Sequence, residues 1–124
     1  MIKITFCLRR LPSLSRQAFQ DYWRHHHAAL VRSHAEVLGI QRYVQAHTIS
    51  DAGTLDLAVM RESAGEDYDG VAMLWWTDMA ALAAAASTPA GRRAGAELLA
   101  DERNFIDLPH SPIFLSEELT VWEV

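Results

Sequence analysis

Residues 71–76 are six apolar residues in succession, and this run limits the possible folds more than any other feature of the sequence. A short apolar run between turn residues is typical of a strand that is buried on both faces. One face of that strand would carry Ala72, Leu74 and Trp76, and the other would carry the residues between them. We therefore expect a β-sheet that needs apolar cover on each side.

The segments around this run predict three further strands. Apolar residues alternate with polar ones over Ile2–Leu8, which is the period of a half-buried strand. Residues 40–49 are rich in β-forming side chains and predict a second strand, and residues 113–124 predict a fourth. The long connection over 50–70 is polar except for a short apolar group at 55–60, which is expected to form a helical turn.

Two helical regions separate these strands. Ser15 is a good N-cap for a helix that starts at about residue 16, and Gly39 is a plausible residue to end it. A second helical region follows a cap at residue 77 or 78 and runs through alanine-rich sequence. Pro89 restarts it as a second piece that ends near Asp101. The predicted order of elements is therefore β-α-β-β-α-β.

This order predicts an α+β fold of the ferredoxin-like βαββαβ class, with one four-stranded antiparallel sheet and helices on a single face. The other face would then leave more apolar surface in water than a monomer usually exposes. A second copy, packed face to face about a two-fold axis, would cover it and form a closed barrel. We predict a homodimer, and the length of 124 residues predicts a single domain over 1–124.

Composition excludes several classes of function. Eleven Lys and Arg against sixteen Asp and Glu give a net charge of −5, so no nucleic-acid partner is expected. No segment approaches the roughly 18 apolar residues of a membrane helix, and the N-terminus lacks a signal-peptide pattern. We expect a cytoplasmic protein with no membrane partner. Cys7 is the single cysteine, which excludes an internal disulfide and a multi-cysteine metal site.

The first predicted helix carries the clearest candidate for chemistry. Apolar and aromatic residues recur at helical spacing over four turns, and the series is Phe19, Tyr22, Trp23, His26, His27, Leu30, Val31 and His34. An imidazole among apolar neighbours is partly desolvated and titrates near neutral pH, which suits a general acid or base. We assign this role to His27. The alternative is a core histidine that bonds to the backbone.

The second strand adds a candidate orienting group. Tyr43, Gln45 and His47 share one face of that strand, where a phenol and a carboxamide could orient a substrate carbonyl. Tyr43 could equally be a packed aromatic residue with its hydroxyl at the surface. Met73 and Trp75 could form an apolar wall for a planar substrate or could simply belong to the core.

Carboxylates in the turn before the last strand complete the candidate set. Asp107 and the pair Asp101 and Glu102 lie there, and one of them could orient His27; otherwise they are solvated turn or cap residues. We name Asp107 as catalytic together with His27 and Tyr43. The residues expected to contact substrate are Tyr22, Trp23, His26, His34, Gln45, Met73 and Trp75.

The histidine spacing does not predict a metal site. Consecutive side chains at 25, 26 and 27 diverge by about 100° each on an α-helix, and His27 and His34 are separated by about 10 Å of helix axis. Neither arrangement is the i, i+4 pair that binds zinc. The sequence also lacks a phosphate-binding glycine loop and a dinucleotide fingerprint, so no organic cofactor is expected.

One motif narrows the choice of family: Phe19-x-x-Tyr22-Trp23-x-x-x-His27-x-x-Leu30. With the Gly39-Ile-Gln-Arg-Tyr43 entry to the second strand, the sequence resembles the EthD family of the dimeric α+β barrel superfamily over nearly its whole length. The family takes its name from ethyl tert-butyl ether degradation. Its relatives include isomerases, cyclases, dehydratases and cofactor-free oxygenases, so the resemblance implies a scaffold and a pocket more firmly than a reaction. It also implies pocket positions for His27 and Tyr43.

These observations predict an enzyme that binds a small hydrophobic molecule of cyclic, polyketide-like or xenobiotic type. His27 would transfer a proton on this ligand without an organic cofactor, in an isomerisation, cyclisation, dehydration or decarboxylation. Two alternatives remain open. One is a cofactor-independent oxygenase that uses the same pocket, and the other is a non-catalytic ligand-binding or accessory protein of an oxidative degradation system.

Overall fold

The fold is described by a computed structural model that covers residues 1–51, 53 and 55–124. Its strands are β1 (Ile2–Leu8), β2 (Arg42–His47), β3 (Gly70–Trp76) and β4 (Ile113–Glu117). Its helices are α1 (Arg16–Tyr22), a π turn (Trp23–His27), α2 (Ala28–Leu38), α3 (Leu57–Met60), α4 (Met79–Ser87), α5 (Pro89–Glu102) and a 3-10 turn (Leu108–His110). Positions 52 and 54 of the predicted connection lie outside the described residues, and α3 is the helical turn expected within it.

The four strands form one antiparallel sheet in the order β2-β3-β1-β4. β3 is an internal strand that pairs with both β1 and β2, in agreement with the apolar run over 71–76. Tyr43, Leu74 and Ile4 stand side by side across three strands on the face that the helices cover. The predicted ferredoxin-like α+β fold is confirmed. No helix in the described ranges has both the length and the hydropathy needed to cross a membrane.

The first helical segment has the predicted ends but an unpredicted middle. The Ser15 hydroxyl accepts a hydrogen bond from the Ala18 N–H at 3.0 Å, and the segment ends at Gly39, whose φ of 71° suits glycine. Between α1 and α2, the N–H of Ala28 bonds to the carbonyl of Trp23, five residues earlier, which defines the π turn. Apolar spacing does not distinguish this turn from regular helix, so the sequence did not predict it.

The core lies between this helical segment and the sheet. Leu8, Phe19, Trp23 and Phe105 are each at most 1% exposed and belong to one cluster. Gly70 lies under the ring of Trp23, because a Cβ atom at this position would lie 2.4 Å from that ring. The missing side chain at Gly70 therefore allows the Trp23 ring to lie directly on β3.

A buried carboxylate joins three elements at one end of the sheet. Asp69, just before β3, accepts hydrogen bonds from the backbone N–H of Arg10 at 2.8 Å and from the side chains of Arg10 and Arg16 at 2.7 and 2.9 Å. Burial alone would raise the pKa of Asp69, but these hydrogen bonds lower it below its ordinary value. This network ties β1 and the first turn of α1 to the start of β3.

The sheet face away from the helices is partly covered by the chain itself. Trp75 lies on this face, yet it is only 6% exposed. The cationic groups of Arg42 and Lys3, its neighbours on β2 and β1, lie 4.7 and 5.1 Å from its ring, and its indole N–H donates to Glu118. Long cationic side chains can cover an aromatic ring in this way, so Trp75 does not depend on a second copy for its burial.

The fourth strand is shorter than the sequence predicted. β4 ends at Glu117, and Leu119, Val121 and Trp122 beyond it are at least 80% exposed. The prediction of a strand to residue 124 is wrong because β4 pairs only with β1, and β1 begins at Ile2, the partner of Glu117. Apolar residues continue to alternate after Glu117, but β1 has no residues left in the sheet to pair with them.

Candidate active site

The π turn brings two neighbouring histidines to one carboxylate. Nδ1 of His27 lies 2.7 Å from Asp101 Oδ2, and Nδ1 of His26 lies 3.3 Å from Oδ1 of the same side chain. The two rings contact different oxygens of this carboxylate, and both belong to a π turn instead of the regular α-helix expected from the sequence. The side chain of His27 is 7% exposed and that of His26 is 61% exposed. His27 is therefore the buried member of the pair.

Asp101, in the last turn of α5, fixes the protonation of His27. It also accepts a hydrogen bond of 2.5 Å from the Tyr22 hydroxyl. Burial alone would raise the pKa of Asp101, but the hydrogen bonds from Tyr22 and His27 lower it. An ionised carboxylate can only accept, so Nδ1 of His27 carries the proton and Nε2 keeps its lone pair.

The environment of His27 favours the neutral imidazole. Burial lowers its pKa below the ordinary value of 6.5, although the bond to Asp101 opposes this shift. The ring packs against Phe105, with the ring centroids 5.0 Å apart. At neutral pH, Nε2 is therefore an unprotonated nitrogen in an apolar setting, which is the state required of a general base.

A second carboxyl group faces this nitrogen. Glu102 Oε2 lies 3.8 Å from His27 Nε2, beyond hydrogen-bonding distance, and the Glu102 side chain is 19% exposed. Burial raises the pKa of Glu102 to about 7, with a further contribution from the negative charge of Asp101. Near neutral pH, Glu102 is divided between the carboxylic acid and the carboxylate.

Gln45 orients the Tyr43 hydroxyl. The amide nitrogen of Gln45 donates to the Trp23 carbonyl at 3.0 Å and to the Tyr43 oxygen at 2.8 Å. A backbone carbonyl can only accept, so this contact determines which end of the amide faces Tyr43. Since the Tyr43 oxygen accepts from Gln45, its own O–H remains free to donate. Burial raises the pKa of Tyr43, so the hydroxyl keeps its proton at neutral pH.

These groups meet at a cavity of about 60 Å³ between the first helical segment and the sheet. Its polar side chains are His27, Tyr43 and Glu102, and its apolar walls include Phe6, Trp23, Val31, Leu74 and Leu98. A cavity of about 150 Å³ admits benzene. The space seen here accommodates the reacting end of a ligand, and a larger ring requires the lining side chains to move.

The structure collects some of the sequence-predicted residues around this cavity. Trp23 and Tyr43 line it together with His27, and Gln45 contacts both of them. Tyr22 and His26 reach it indirectly, through Asp101. No group of three or more His, Cys, Asp or Glu within residues 1–51, 53 and 55–124 is arranged to hold a metal ion.

Four other predicted residues lie elsewhere. His34 pairs with Glu97 at 2.6 Å, away from the cavity lining. Asp107 bonds to His110 at 2.8 Å and lines a separate polar hollow beside Arg9 and Arg10, so it does not orient His27. Met73 and Trp75 project from the opposite face of the sheet, because the apolar run of β3 did not reveal which of its faces meets the helices.

Asp101 and Glu102 flank His27, although the sequence favoured Asp107 as the carboxylate that acts with it. In the sequence, Asp101 and Glu102 could equally be solvated turn or cap residues. A signal was available, since carboxylates in the last turn of a helix oppose the helix dipole and gain nothing as caps. Two adjacent acids at the end of α5 therefore indicate a role outside helix capping, and here they flank the imidazole of His27.

Comparison with known proteins places the chain in a family. The model of the EthD domain matches residues 11–109, a range that includes His27, Tyr43, Asp101 and Glu102. The chain belongs to the EthD family. None of the curated proteins matches the sequence.

Solved structures of similar fold cover almost the whole chain. An EthD family protein from Bacillus halodurans is 19% identical, with a TM-score of 0.62, over 96% of this chain and 99% of its own. A dimeric ferredoxin-like protein from Jannaschia is 20% identical, with a TM-score of 0.57, over 94% and 98% of the two chains. A Deinococcus radiodurans protein, provisionally an antibiotic biosynthesis monooxygenase, is 12% identical, with a TM-score of 0.55, over 100% and 98%. At these identities the likeness shows the fold alone.

Proposed function

We propose that this EthD-family protein is an enzyme that transfers a proton on a small hydrophobic carbonyl compound, with His27 as the general base and no organic cofactor. The C–H bond next to the carbonyl breaks, the proton passes to His27 Nε2, and the electron pair moves toward the carbonyl oxygen. The Tyr43 hydroxyl donates a hydrogen bond to that oxygen. Asp101 stabilises the imidazolium that forms.

One observation carries this proposal. A buried, neutral imidazole is held by a carboxylate at Nδ1, and its Nε2 points toward Glu102, which lines the same apolar cavity as His27. A histidine that only stabilises the core needs no accessible lone pair. The free O–H of Tyr43 on the wall of the same cavity supplies the donor that a developing enolate requires.

We also propose that the protein is a homodimer. β4 leaves Ile113, Phe114 and Leu115 between 47% and 56% exposed, although successive residues of the strand point to opposite faces. The apolar residues after β4 are still more exposed. Phe114 pairs with Thr5 of β1 and lies on the open face of the sheet, so a second copy packed on that face would bury it. The similar Jannaschia protein is described as dimeric.

A short enolisable ketone tests the chemistry without knowledge of the natural substrate. We expect the protein to accelerate exchange of the C3 protons of pent-4-en-2-one for deuterium in D₂O, as measured by proton NMR. His27→Gln is expected to remove the acceleration, by about 100-fold or more. His25→Gln alters an exposed residue of the same π turn and is the matched control that keeps the activity.

A non-catalytic binding protein is the second candidate, because the apolar walls of the cavity suit the binding of a small hydrophobic molecule with or without a reaction. In that case the ketone would shift the indole N–H signal of Trp23 in a wild-type sample without any exchange at C3. Binding without exchange would contradict the enzymatic proposal, and so would full exchange activity in His27→Gln.

A further inference from the structure

Glu102 lines the cavity but has no part in the proton removal described above. Its carboxyl faces the same nitrogen that acts as the base, at 3.8 Å, and its side chain is largely buried. Burying a carboxyl group without a close cationic partner is costly. A buried carboxyl group at a cavity wall beside a histidine indicates a role in catalysis and not in the stability of the fold.

We propose that Glu102 is a second catalytic acid, which protonates a carbon different from the one that His27 deprotonates, so that the enzyme is an isomerase of neutral unsaturated ketones. This inference rests on the proposed function, because it requires His27 to remove the first proton. Beyond the proposed function, it assigns the second proton transfer to Glu102 and states that the substrate is uncharged.

The charges around the cavity favour a neutral substrate. None of the described residues that line it is Lys or Arg, whereas Asp101 is ionised next to its wall and Glu102 belongs to it. Arg32, which influences Tyr43, is an exposed residue of α2 and does not line the cavity. A carboxylate-bearing substrate would meet negative charge with no partner.

The proton cycle closes within the site. His27 Nε2 takes a proton from the carbon between the carbonyl and the double bond, which gives a dienolate whose oxygen accepts from Tyr43. Glu102 O–H then gives its proton to the far carbon of the dienolate, and the double bond moves into conjugation with the carbonyl. After this step the imidazolium and the Glu102 carboxylate carry opposite charges, which draw the two atoms from 3.8 Å into hydrogen-bonding distance, and the proton on Nε2 returns to Glu102. No oxidant, reductant or leaving group is needed.

The same probe separates the two proton transfers. With pent-4-en-2-one, deuterium exchange at C3 reports the His27 step, and ultraviolet absorption of the conjugated product, pent-3-en-2-one, reports the protonation by Glu102. We expect Glu102→Gln to lower the rate of conjugation by about 100-fold while exchange at C3 continues. Glu97→Gln, an exposed position on the same helix, is the matched control and should retain both activities.

Each outcome distinguishes the two proposals. Conjugation at the wild-type rate in Glu102→Gln, with C3 exchange present, would overturn the role of Glu102 and leave the proposed function standing. If the wild-type protein does not accelerate exchange at C3, both the proposed function and the role of Glu102 are overturned. Circular dichroism of each variant monitors folding, and Glu102→Asp, which keeps the acid, should recover part of the conjugation rate if the carboxyl is the proton donor.

The neutral-substrate claim has its own test. Pentan-2-one and butyrate are similar in size and shape but differ in charge, and neither has the double bond that must move. We expect pentan-2-one to inhibit conjugation competitively and butyrate at the same concentration to have little effect. Stronger inhibition by butyrate would contradict the inference.

Discussion

His27 lies between two carboxyl groups of opposite function. Asp101 contacts Nδ1 at 2.7 Å, is ionised, and holds the ring in one tautomer. Glu102 faces Nε2 at 3.8 Å and is partly protonated near neutral pH, because burial raises its pKa to about 7. Two adjacent residues in the sequence thus act as an acceptor and a donor on opposite sides of one imidazole.

Asp101→Asn tests the tautomer assignment. The neutral amide would offer its N–H₂ group to Nδ1, which moves the imidazole proton to Nε2 and removes the free base. We expect exchange at C3 to fall by about 100-fold or more while the fold is retained. Asp21→Asn, at an exposed position of α1, should behave as wild type. Unchanged exchange at C3 in Asp101→Asn would show that Asp101 does not determine which nitrogen of His27 carries the proton.

Glu102→Gln is expected to stabilise the protein while it slows conjugation of the ketone. Because the folded-state pKa of about 7 exceeds the ordinary 4.5, the folded state binds more protons than the unfolded state between these values. Wild-type stability is therefore lost as pH rises through this window. In urea denaturation we expect the variant to gain up to about 3 kcal/mol over wild type at pH 8 and little at pH 4. An equal gain in the free energy of unfolding at both pH values would show that folding does not raise the pKa of Glu102.

At the scale of elements, the π turn and the Asp69 network position the site. The π turn presents His26 and His27 to α5, and its first carbonyl, that of Trp23, orients Gln45. Asp69 joins the end of β1 and the first turn of α1 at the other end of the same helical segment. Loosening that network would disturb the helix that carries His27.

Asp69→Asn tests this coupling. The change leaves Arg10 and Arg16 without their buried partner, and we expect a loss of about 2–4 kcal/mol at pH 7 in urea denaturation. The folded-state pKa of Asp69 is lowered, so its contribution is present above the ordinary value of 3.8 and is lost as pH falls below it. Asp67→Asn, exposed nearby, is the control. A loss that stayed constant down to pH 2 would contradict the assigned charge state.

Most element boundaries could be predicted because local signals determine them. Ser15, Gly39 and Pro89 define helix ends through their own backbone preferences, and the structure has all three at those positions. The end of β4 could not be predicted, because it depends on where β1 begins. The π turn could not be predicted either, since it follows from packing between the helix, α5 and the sheet.

Part of the candidate site could also be predicted, because local sequence patterns reveal some of its residues. His27 and Tyr43 lie on stripes that a periodic pattern reveals, and both line the cavity. Asp101 comes from a helix about seventy residues further along the chain, so its contact with His27 is a property of the folded molecule. The sequence placed carboxylates near the last turn of α5 without showing which one reaches the imidazole.

At the scale of the whole molecule, the proposed dimer predicts a mass of twice 13.9 kDa in sedimentation velocity. Phe114 on the open face of the sheet and the apolar side chains of residues 119–124 are the groups expected to be buried. Phe114→Glu places a charge on the open face of the sheet and should shift the protein toward the monomer. A wild-type protein that stays at 13.9 kDa at micromolar concentration would contradict the proposed assembly.

The proposed proton transfer depends on the protonation state of the His27 imidazole, which nitrogen NMR of the wild-type protein reports directly. At pH 7 we predict that His27 is neutral, with a proton on Nδ1 and none on Nε2, and that it becomes an imidazolium only below its ordinary pKa of 6.5. A proton on Nε2 at pH 7, or an imidazolium at that pH, would contradict the assignment of His27 as the base.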